Sequence, residues 1–148
     1  MLYINPNATL TGVETLTNKT IASHLAYTDT RYKLGSITRD ISLTSTQAVT
    51  GFGYQPKFVR IWGAIGDTTS SSDGGSDGTN HYTIYSPNFN TPATGKYGVG
   101  TTGALIFLID ASNYTIGTLS MDADGFTITW TKTGSPTGTA TMFYLGYR

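Results

Sequence analysis

Hydrophobic and polar residues alternate over several stretches of this chain with the two-residue period of a β-strand. The cleanest alternation covers residues 126–131, where Phe, Ile and Trp alternate with three threonines. Another covers residues 36–44, where Ile41 and Leu43 fall on the inner face together with one charged residue, Arg39. Because one face of each stretch is apolar and the other is polar, we expect half-buried strands at both places.

Apolar runs and turn signals predict the rest of the fold. Residues 57–65 are apolar on both faces, as in a central strand, and residues 104–109 are the most apolar run in the chain. Residues 47–50 are predicted to be a short continuation of the strand at residues 36–44, and shorter strands are predicted at residues 82–85, 114–121 and 139–148. Turn signals rich in Gly, Pro and Asp separate the strands at residues 51–56, 122–125 and 133–138. Residues 66–80 are so rich in Gly, Ser and Asp that we expect a solvated loop. About eight short strands without a helix indicate an all-β fold, a jelly-roll-like β-sandwich.

The start of the chain lacks a steady hydrophobic period. We expect residues 1–34 to form an extended N-terminal arm and residues 35–148 to form the sandwich domain. An arm of this length cannot bury its own apolar residues, so it is expected to pack on a neighbouring subunit or on a larger structure. The candidate attachment residues of the arm are Leu10, Val13, Leu16 and Ile21.

Charge and composition argue against several classes of partner. The 148 residues carry 9 basic and 9 acidic side chains and no Cys. The zero net charge provides no electrostatic attraction to nucleic acid or to an anionic membrane. No run approaches the roughly 18 apolar residues of a membrane span, and the start of the chain lacks the pattern of a secretory signal. We therefore expect synthesis in the cytoplasm, no nucleic-acid binding and no membrane insertion.

Catalytic and metal-binding patterns are weak. Residues 74–78 match G-x-S-x-G, but the strand and helix that flank a nucleophile elbow are not predicted around them. The two histidines, His24 and His81, lack the spacing that places two metal ligands on one face. A glycosidase needs two carboxylates across a cleft, and the sequence does not predict such a pair. We expect a non-enzymatic protein without a catalytic residue, metal or cofactor. Whether the aspartates of residues 66–80 hold an ion stays open.

Aromatic residues near the flexible segments are the remaining candidate site. Tyr82, Tyr85, Phe89 and Tyr97 have large rings, which stack on sugars or pack at subunit interfaces. These four residues are the candidate glycan contacts of the outer loops. The alternative is that their rings cover the ends of the sandwich, since large amphipathic rings are mostly buried on average.

Several segments resemble bacteriophage proteins. Residues 9–21 (TLTGVETLTNKTI) resemble a segment that recurs in tail-fibre and other virion appendage proteins. Residues 35–43 (GSITRDISL) and 46–58 (TQAVTGFGYQPKF) resemble C-terminal modules of phage tail proteins. The later segments DGFTITW and FYLGY are consistent with further strands of such modules. The resemblance implies a β-sandwich that assembles as a homotrimer on the virion surface, and it implies no catalytic residues.

The length of the chain favours one kind of virion protein. A tail fibre needs a shaft and an anchoring domain, whereas 148 residues leave room for an arm and one sandwich. We therefore expect a capsid decoration (cement) protein that binds the major capsid protein and stabilises the shell, with host-glycan contact through its outer loops. The alternative is a tail-fibre or tailspike-type tip that joins tail components and recognises host surface polysaccharide. A small tail-associated hydrolase is a third hypothesis, and the lack of a carboxylate pair speaks against it.

Overall fold

The computed structural model of the protein describes residues 31–66, 70–86 and 98–148. These residues form ten strands: β1 (Tyr32–Asp40), β2 (Thr46–Val49), β3 (Phe58–Ile65), β4 (Ser71–Ser76), β5 (His81–Ser86), β6 (Gly98–Gly100), β7 (Leu105–Asp110), β8 (Asn113–Asp122), β9 (Gly125–Thr133) and β10 (Thr139–Tyr147). This part of the chain contains no helix long and apolar enough to cross a membrane.

The strands pair into two antiparallel sheets that pack as a sandwich. The six-stranded sheet has the order β1-β10-β3-β4-β5-β6, and the four-stranded sheet has the order β2-β9-β8-β7. The first strand pairs with the last and the second pairs with the ninth, which is the nested pairing of a jelly roll. The middle strands depart from that pattern, because β3 to β6 and β7 to β9 run as two meanders. The predicted all-β sandwich is therefore confirmed.

The core lies between the inner faces of the two sheets. The alternation of residues 126–131 is confirmed, since Phe126, Ile128 and Trp130 are buried while the threonines between them are at least partly exposed. The run at residues 104–109 is fully buried only through Phe107, because β7 lies at the edge of its sheet. Each large apolar side chain that is removed from water in this core contributes about 1.5–3 kcal/mol.

Residues 51–56, which were predicted as a turn, place two aromatic side chains in the core. Phe52 and Tyr54 are buried, and Phe52 stacks on Tyr144 with 5.7 Å between ring centroids. The Tyr54 hydroxyl donates a hydrogen bond to the Gly146 carbonyl oxygen at 3.0 Å. Aromatic packing and this hydrogen bond therefore make the segment part of the core.

The prediction of a solvated loop at residues 66–80 is wrong. Ser71–Ser76 form β4, which pairs with β3 on one side and with β5 on the other. A Cβ atom at Gly74 would overlap the carbonyl oxygens of Ala104 and Tyr82. Glycine is therefore required at this position for close backbone packing. The glycine content of the segment, which predicted a loop, reflects this packing.

The buried hydroxyl groups of β4 are satisfied by hydrogen bonds. Ser72 Oγ lies 3.0 Å from Thr83 Oγ1 and accepts a hydrogen bond from the Ile106 backbone N–H at 3.0 Å. Because its polar atoms have partners, this strand can lie in the interior without a desolvation penalty. β7 thus packs on β4 through small side chains and hydrogen bonds.

The beginning of β1 overlaps the predicted arm. The strand starts at Tyr32, so its first residues belong to the six-stranded sheet. The candidate attachment residues of the arm lie outside the described residues: Leu10, Val13, Leu16 and Ile21. The attachment role of those four residues stays a prediction.

The chain turns between β1 and β2, which corrects two expectations. Leu43, predicted on the inner face, is 51% exposed, because the backbone N–H of Leu43 bonds back to the Asp40 carbonyl oxygen at 3.3 Å. Residues 47–50, predicted as a continuation of the same strand, belong mostly to Thr46–Val49, which forms β2 in the opposite sheet. The turn therefore carries the chain from one layer of the sandwich to the other.

Arg39 is buried on the inner face of β1, as the alternation predicts. Its Nη2 donates to the Leu43 carbonyl oxygen at 2.8 Å and to Ser45 Oγ at 3.1 Å. Its guanidinium carbon lies 5.6 Å from the ring centroid of Trp130. Burial lowers the pKa of Arg39, and the neighbouring Asp40 opposes that shift. The β1–β2 turn is thus held by a desolvated cation that packs on an aromatic ring.

Candidate interaction surface

The outer face of the six-stranded sheet carries most of the exposed apolar side chains of the described residues. Nine large hydrophobic residues are exposed in this part of the chain, and all except Leu43 lie on this face. Directly opposed residues in an antiparallel sheet share a face, so the register places eight together: Tyr32, Leu34, Phe58, Tyr82, Ile84, Val99, Phe143 and Tyr147. We call these eight residues, with Trp62 and Leu145 between them, the outer apolar face.

The residues of the outer apolar face lie in three consecutive rows that run across the strands. The same rows also contain Ser36, Arg60, Asp73 and Gly75. From β1 toward β6, the first row is Tyr32, Tyr147 and Phe58. The second row is Leu34, Leu145, Arg60, Gly75 and Tyr82. The third row is Ser36, Phe143, Trp62, Asp73, Ile84 and Val99. The next row is small or polar: Thr38, Thr141, Ala64, Ser71 and Ser86. The sheet face is thus divided into an apolar part and a polar part.

Aromatic rings on neighbouring strands contact each other on this face. Phe143 stacks on Trp62 with 6.1 Å between ring centroids, and the rings of Phe58 and Tyr147 are 6.3 Å apart. The Arg60 guanidinium carbon lies 5.3 Å from the Trp62 ring centroid. Each aromatic pair contributes about 0.5–1.5 kcal/mol beyond the area that it buries. These contacts place the rings side by side on the face.

One ion pair lies within the apolar rows. Arg60 Nε donates to Asp73 Oδ1 at 3.1 Å, and Arg60 Nη2 donates to Asp73 Oδ2 at 2.7 Å. Hydrogen bonding to Asp73 raises the pKa of Arg60, and the charge of Asp73 adds to the shift. The side chains are 55% and 49% exposed, so the pair is worth only about 0–1 kcal/mol. Its main consequence is that the two charges neutralise each other on the face.

A shallow groove of about 320 Å³ lies beside this ion pair. The residues that line it, besides the glycines of β4, are Phe58, Arg60, Asp73, Tyr82, Thr83, Ile84 and Val99. β4 forms its floor through Gly74 and Gly75, which have no side chains. A Cβ atom at Gly75 would overlap the Phe58 ring, so glycine is needed for this ring to lie across the strand. The groove has the size and the apolar lining to receive a protein side chain or a flat ring.

The outer face of the four-stranded sheet has a different character. The register of β8 and β9 places mostly threonine and serine on it (Thr118, Ser120, Thr127, Thr129 and Thr131), with the partly buried Tyr114 and Ile116 at one end. None of the nine exposed large hydrophobic residues in the described part of the chain lies on this face. Exposed hydrophobic surface is therefore concentrated on one side of the sandwich.

The structure separates the aromatic residues that the sequence grouped as glycan contacts. Tyr82 is 60% exposed and forms a wall of the groove. Tyr85 lies on the opposite face of β5, where its ring packs against Gly98. Phe89 and Tyr97 lie outside the described residues. The sequence contains a signal for this difference. Side chains alternate between the two faces of a strand, so Tyr82 and Tyr85, three positions apart, must face opposite sides.

The serine of the G-x-S-x-G match lies beside a histidine. His81 Nδ1 is 2.8 Å from Ser76 Oγ, and the two residues are directly opposed at the end of the β4–β5 hairpin. The Ser76 side chain is fully buried, and its hydroxyl accepts a hydrogen bond from the Gly78 backbone N–H at 2.9 Å. β4 is followed by a turn and a strand, whereas a nucleophile elbow is followed by a helix. The Ser76–His81 contact therefore closes a hairpin and does not present a nucleophile to a substrate.

The aspartates around β4 are bound within the fold. Asp73 is held in the ion pair with Arg60. Hydrogen bonds from the Asn80 side chain and from backbone N–H groups lower the pKa of Asp77 to about 2. The part of the chain that the structure describes has no group of three or more side chains that could hold a metal ion. Asp67 and His24 lie outside it.

Comparison of the chain with protein-family models, with curated proteins and with solved structures finds no match. Among the described residues, the outer apolar face is the candidate site on which exposed aromatic rings, one neutralised ion pair and a groove come together.

Proposed function

We propose that this protein is a non-enzymatic structural protein of a bacteriophage virion, a homotrimeric capsid decoration protein that stabilises the shell. The observation that carries the proposal is the outer apolar face, since contiguous exposed apolar patches of this size mark interaction sites. The phage setting comes from the resemblance of residues 9–21 and 46–58 to virion proteins. In this proposal the protein is made in the host cytoplasm and resides on the virion surface.

The proposed role follows from mass action. A protein that binds the assembled shell, and does not bind its free subunits, stabilises assembly by a free energy that grows with the logarithm of its concentration. At 100 times its dissociation constant the contribution is about 2.7 kcal/mol for each site. The partners in this role are the major capsid protein and other copies of the chain.

Shell binding tests the proposal directly. Purified protein is mixed with shells of its phage that lack it, and bound protein is measured by sedimentation and located by cryo-electron microscopy. We expect density repeated across the shell lattice and a higher temperature of shell disruption. Density only at the tail would overturn the proposal.

The predicted arm provides a second test with a matched control. Changing Leu10, Val13, Leu16 and Ile21 to serine in the full chain is expected to abolish shell binding while the melting temperature of the sandwich is unchanged. The control changes neighbouring polar residues to serine, namely Thr9, Thr11, Thr15 and Thr17, and should bind as the unchanged protein does. Equal binding by both variants would show that attachment does not depend on the apolar residues of the arm.

One observation favours the alternative of a receptor-binding tip. Tyr82 is 60% exposed at the groove and lies beside the Arg60–Asp73 pair, which combines a ring for stacking with groups that bond hydroxyls. Host surface polysaccharide would then quench protein fluorescence in a titration, and Tyr82→Ala would weaken binding about 10-fold or more, the loss of about 1.4 kcal/mol. Tyr32→Ala, at the far edge of the same face, is the matched control. Binding that is equally strong in both variants would remove the groove as a glycan site.

A further inference from the structure

We infer that the outer apolar face is the surface through which copies of this chain contact each other, with a second copy as its occupant. The inference rests on the homo-oligomer in the proposed function and names its interface. It is carried by the size of the face, by its charge and by the shape that its residues give it.

The size of the face fits an interface between copies. The three rows hold 3, 5 and 6 positions, and at about 4.8 Å by 7 Å for each position their flat footprint is about 470 Å². Side-chain relief raises the accessible area above the footprint. The smallest specific interfaces bury about 500 Å² for each partner, so one face provides the area of a small specific contact.

The charge of the face permits contact with an identical copy. Within the three rows the charged side chains are Arg60 and Asp73, which are bonded to each other. Asp40 lies beyond the polar row at the far end of β1. Two such faces would meet without net repulsion, because neither brings an unpaired charge to the contact.

The chemistry of the rows favours an apolar occupant over a polysaccharide. A sugar chain needs many convergent hydrogen-bonding groups, whereas the rows consist mainly of apolar side chains. The two charged groups already satisfy each other through two hydrogen bonds. A second copy supplies apolar rows of the same kind.

The face also carries an exposed leucine at one edge and a groove on its other half. Leu34 is 62% exposed at the β1 edge, and the groove lies across β3 to β6 on the other half of the face. Because they lie on different halves, Leu34 of one copy can enter the groove of another. This complementarity within one face is what a contact between identical chains requires.

The mass of the full-length protein in solution is the first test. We expect light scattering after size exclusion to give a multiple of the chain mass of 15.8 kDa: three times that mass where the β1 half of each face meets the groove half of the next copy in a ring, and twice that mass where whole faces meet about a two-fold axis. Leu34→Glu combined with Val99→Glu places unpaired charges at both edges of the face and should raise the dissociation constant about 100-fold or more. Leu43→Glu is the control, since it makes the same change at an exposed leucine outside the face.

Trp62 provides the second test, because the chain has only two tryptophans and Trp130 is buried in the core. In a Trp130→Phe variant, Trp62 on the outer apolar face is the sole indole. Acrylamide quenching of Trp62 is expected to increase when the protein is diluted below its dissociation constant. A Trp62→Phe variant, which reports Trp130 alone, should show no such change.

The outcomes separate this inference from the proposed function. An oligomer that the double variant dissociates, with circular dichroism still that of a folded sheet, supports the inference. An oligomer that keeps its mass in the double variant places the contact elsewhere and overturns the inference while the decoration role stands. A monomeric protein also overturns the inference. This holds whether Trp62 is accessible to acrylamide, is shielded by the chain itself, or becomes shielded only when polysaccharide is added. Failure of shell binding by an oligomer that uses this face would instead overturn the proposed function alone.

Discussion

Replacing Gly74 with alanine is expected to destabilise the fold strongly, because the inner face of β4 touches the backbone of its neighbours. The added Cβ atom would overlap the carbonyl oxygens of Ala104 and Tyr82. Both oxygens belong to backbone that is fixed by its surroundings, so neither can rotate away as the end of a side chain would. Gly74 does not have a positive φ, so the cost of the substitution is steric.

The expected magnitude follows from the atoms that must move. Overpacking costs about 1–3 kcal/mol where side chains can shift, and a backbone overlap belongs at the upper end, about 3 kcal/mol. For a chain of this size that loss lowers the melting temperature by roughly 6–12 °C. Gly75→Ala meets the Phe58 ring, which can rotate toward solvent, and should cost about 1 kcal/mol. Gly66→Ala meets no atom within 4 Å and is expected to be neutral, or stabilising by up to about 1 kcal/mol.

Urea denaturation and thermal melts followed by circular dichroism measure this series. The expected order of stability is Gly66→Ala, then Gly75→Ala, then Gly74→Ala. If Gly74→Ala and Gly66→Ala differ by less than about 0.5 kcal/mol, the close packing of β4 against its neighbours is refuted. The original expectation of a solvated loop at residues 66–80 would then be restored.

Three other predictions concern charged residues. Arg39→Ala should lower the free energy of unfolding by about 2–4 kcal/mol through lost packing on Trp130. Arg39→Met keeps the apolar stem and removes a desolvated charge, so its free energy of unfolding in urea should stay within about 1 kcal/mol of that of the unchanged protein. Equal losses of stability in Arg39→Ala and Arg39→Met would show that the guanidinium hydrogen bonds dominate. Asp73→Ala should cost less than about 1 kcal/mol in the same assay, and a larger loss would contradict a weak, half-exposed ion pair. Asp77 has a folded pKa of about 2 against about 3.9 when unfolded, so its contribution is present above pH 4 and lost as pH falls toward 2. Asp77→Asn should reduce the slope of unfolding free energy against pH in that window, and an unchanged slope would contradict the assignment.

The sequence predicted the strands whose two faces differ. Phe126, Ile128 and Trp130 were recognised as core residues because threonines separate them. β4 was not predicted from the sequence. A strand whose backbone lies close to that of its neighbours is rich in Gly and Ser, and a solvated loop has the same composition. The contact that requires glycine at Gly74 comes from Ala104, far along the chain, and no local pattern contains it.

The candidate surface was predicted only in part. Tyr82 was identified, but Tyr85 was grouped with it although the period of a strand separates them. In the predicted strand of residues 139–148 the two-residue period puts Phe143 and Tyr147 on the same face, and the register agrees. Which face would be buried could not be predicted, because Tyr144 and its inward neighbours are as apolar as the outward residues.

Strands with two apolar faces need two covering layers, and this requirement links the sequence to the inferred interface. β3 directs Val59 and Ile61 toward the second sheet and Phe58 and Trp62 away from it. Strands that are apolar on both faces usually lie between two layers, whereas the described part of this sandwich covers β3 on one side. The outer face of β8 and β9 carries mainly threonine and serine, in contrast to the outer apolar face. The pattern of residues 57–65 thus predicts two layers, of which the second sheet provides one and the inferred second copy provides the other.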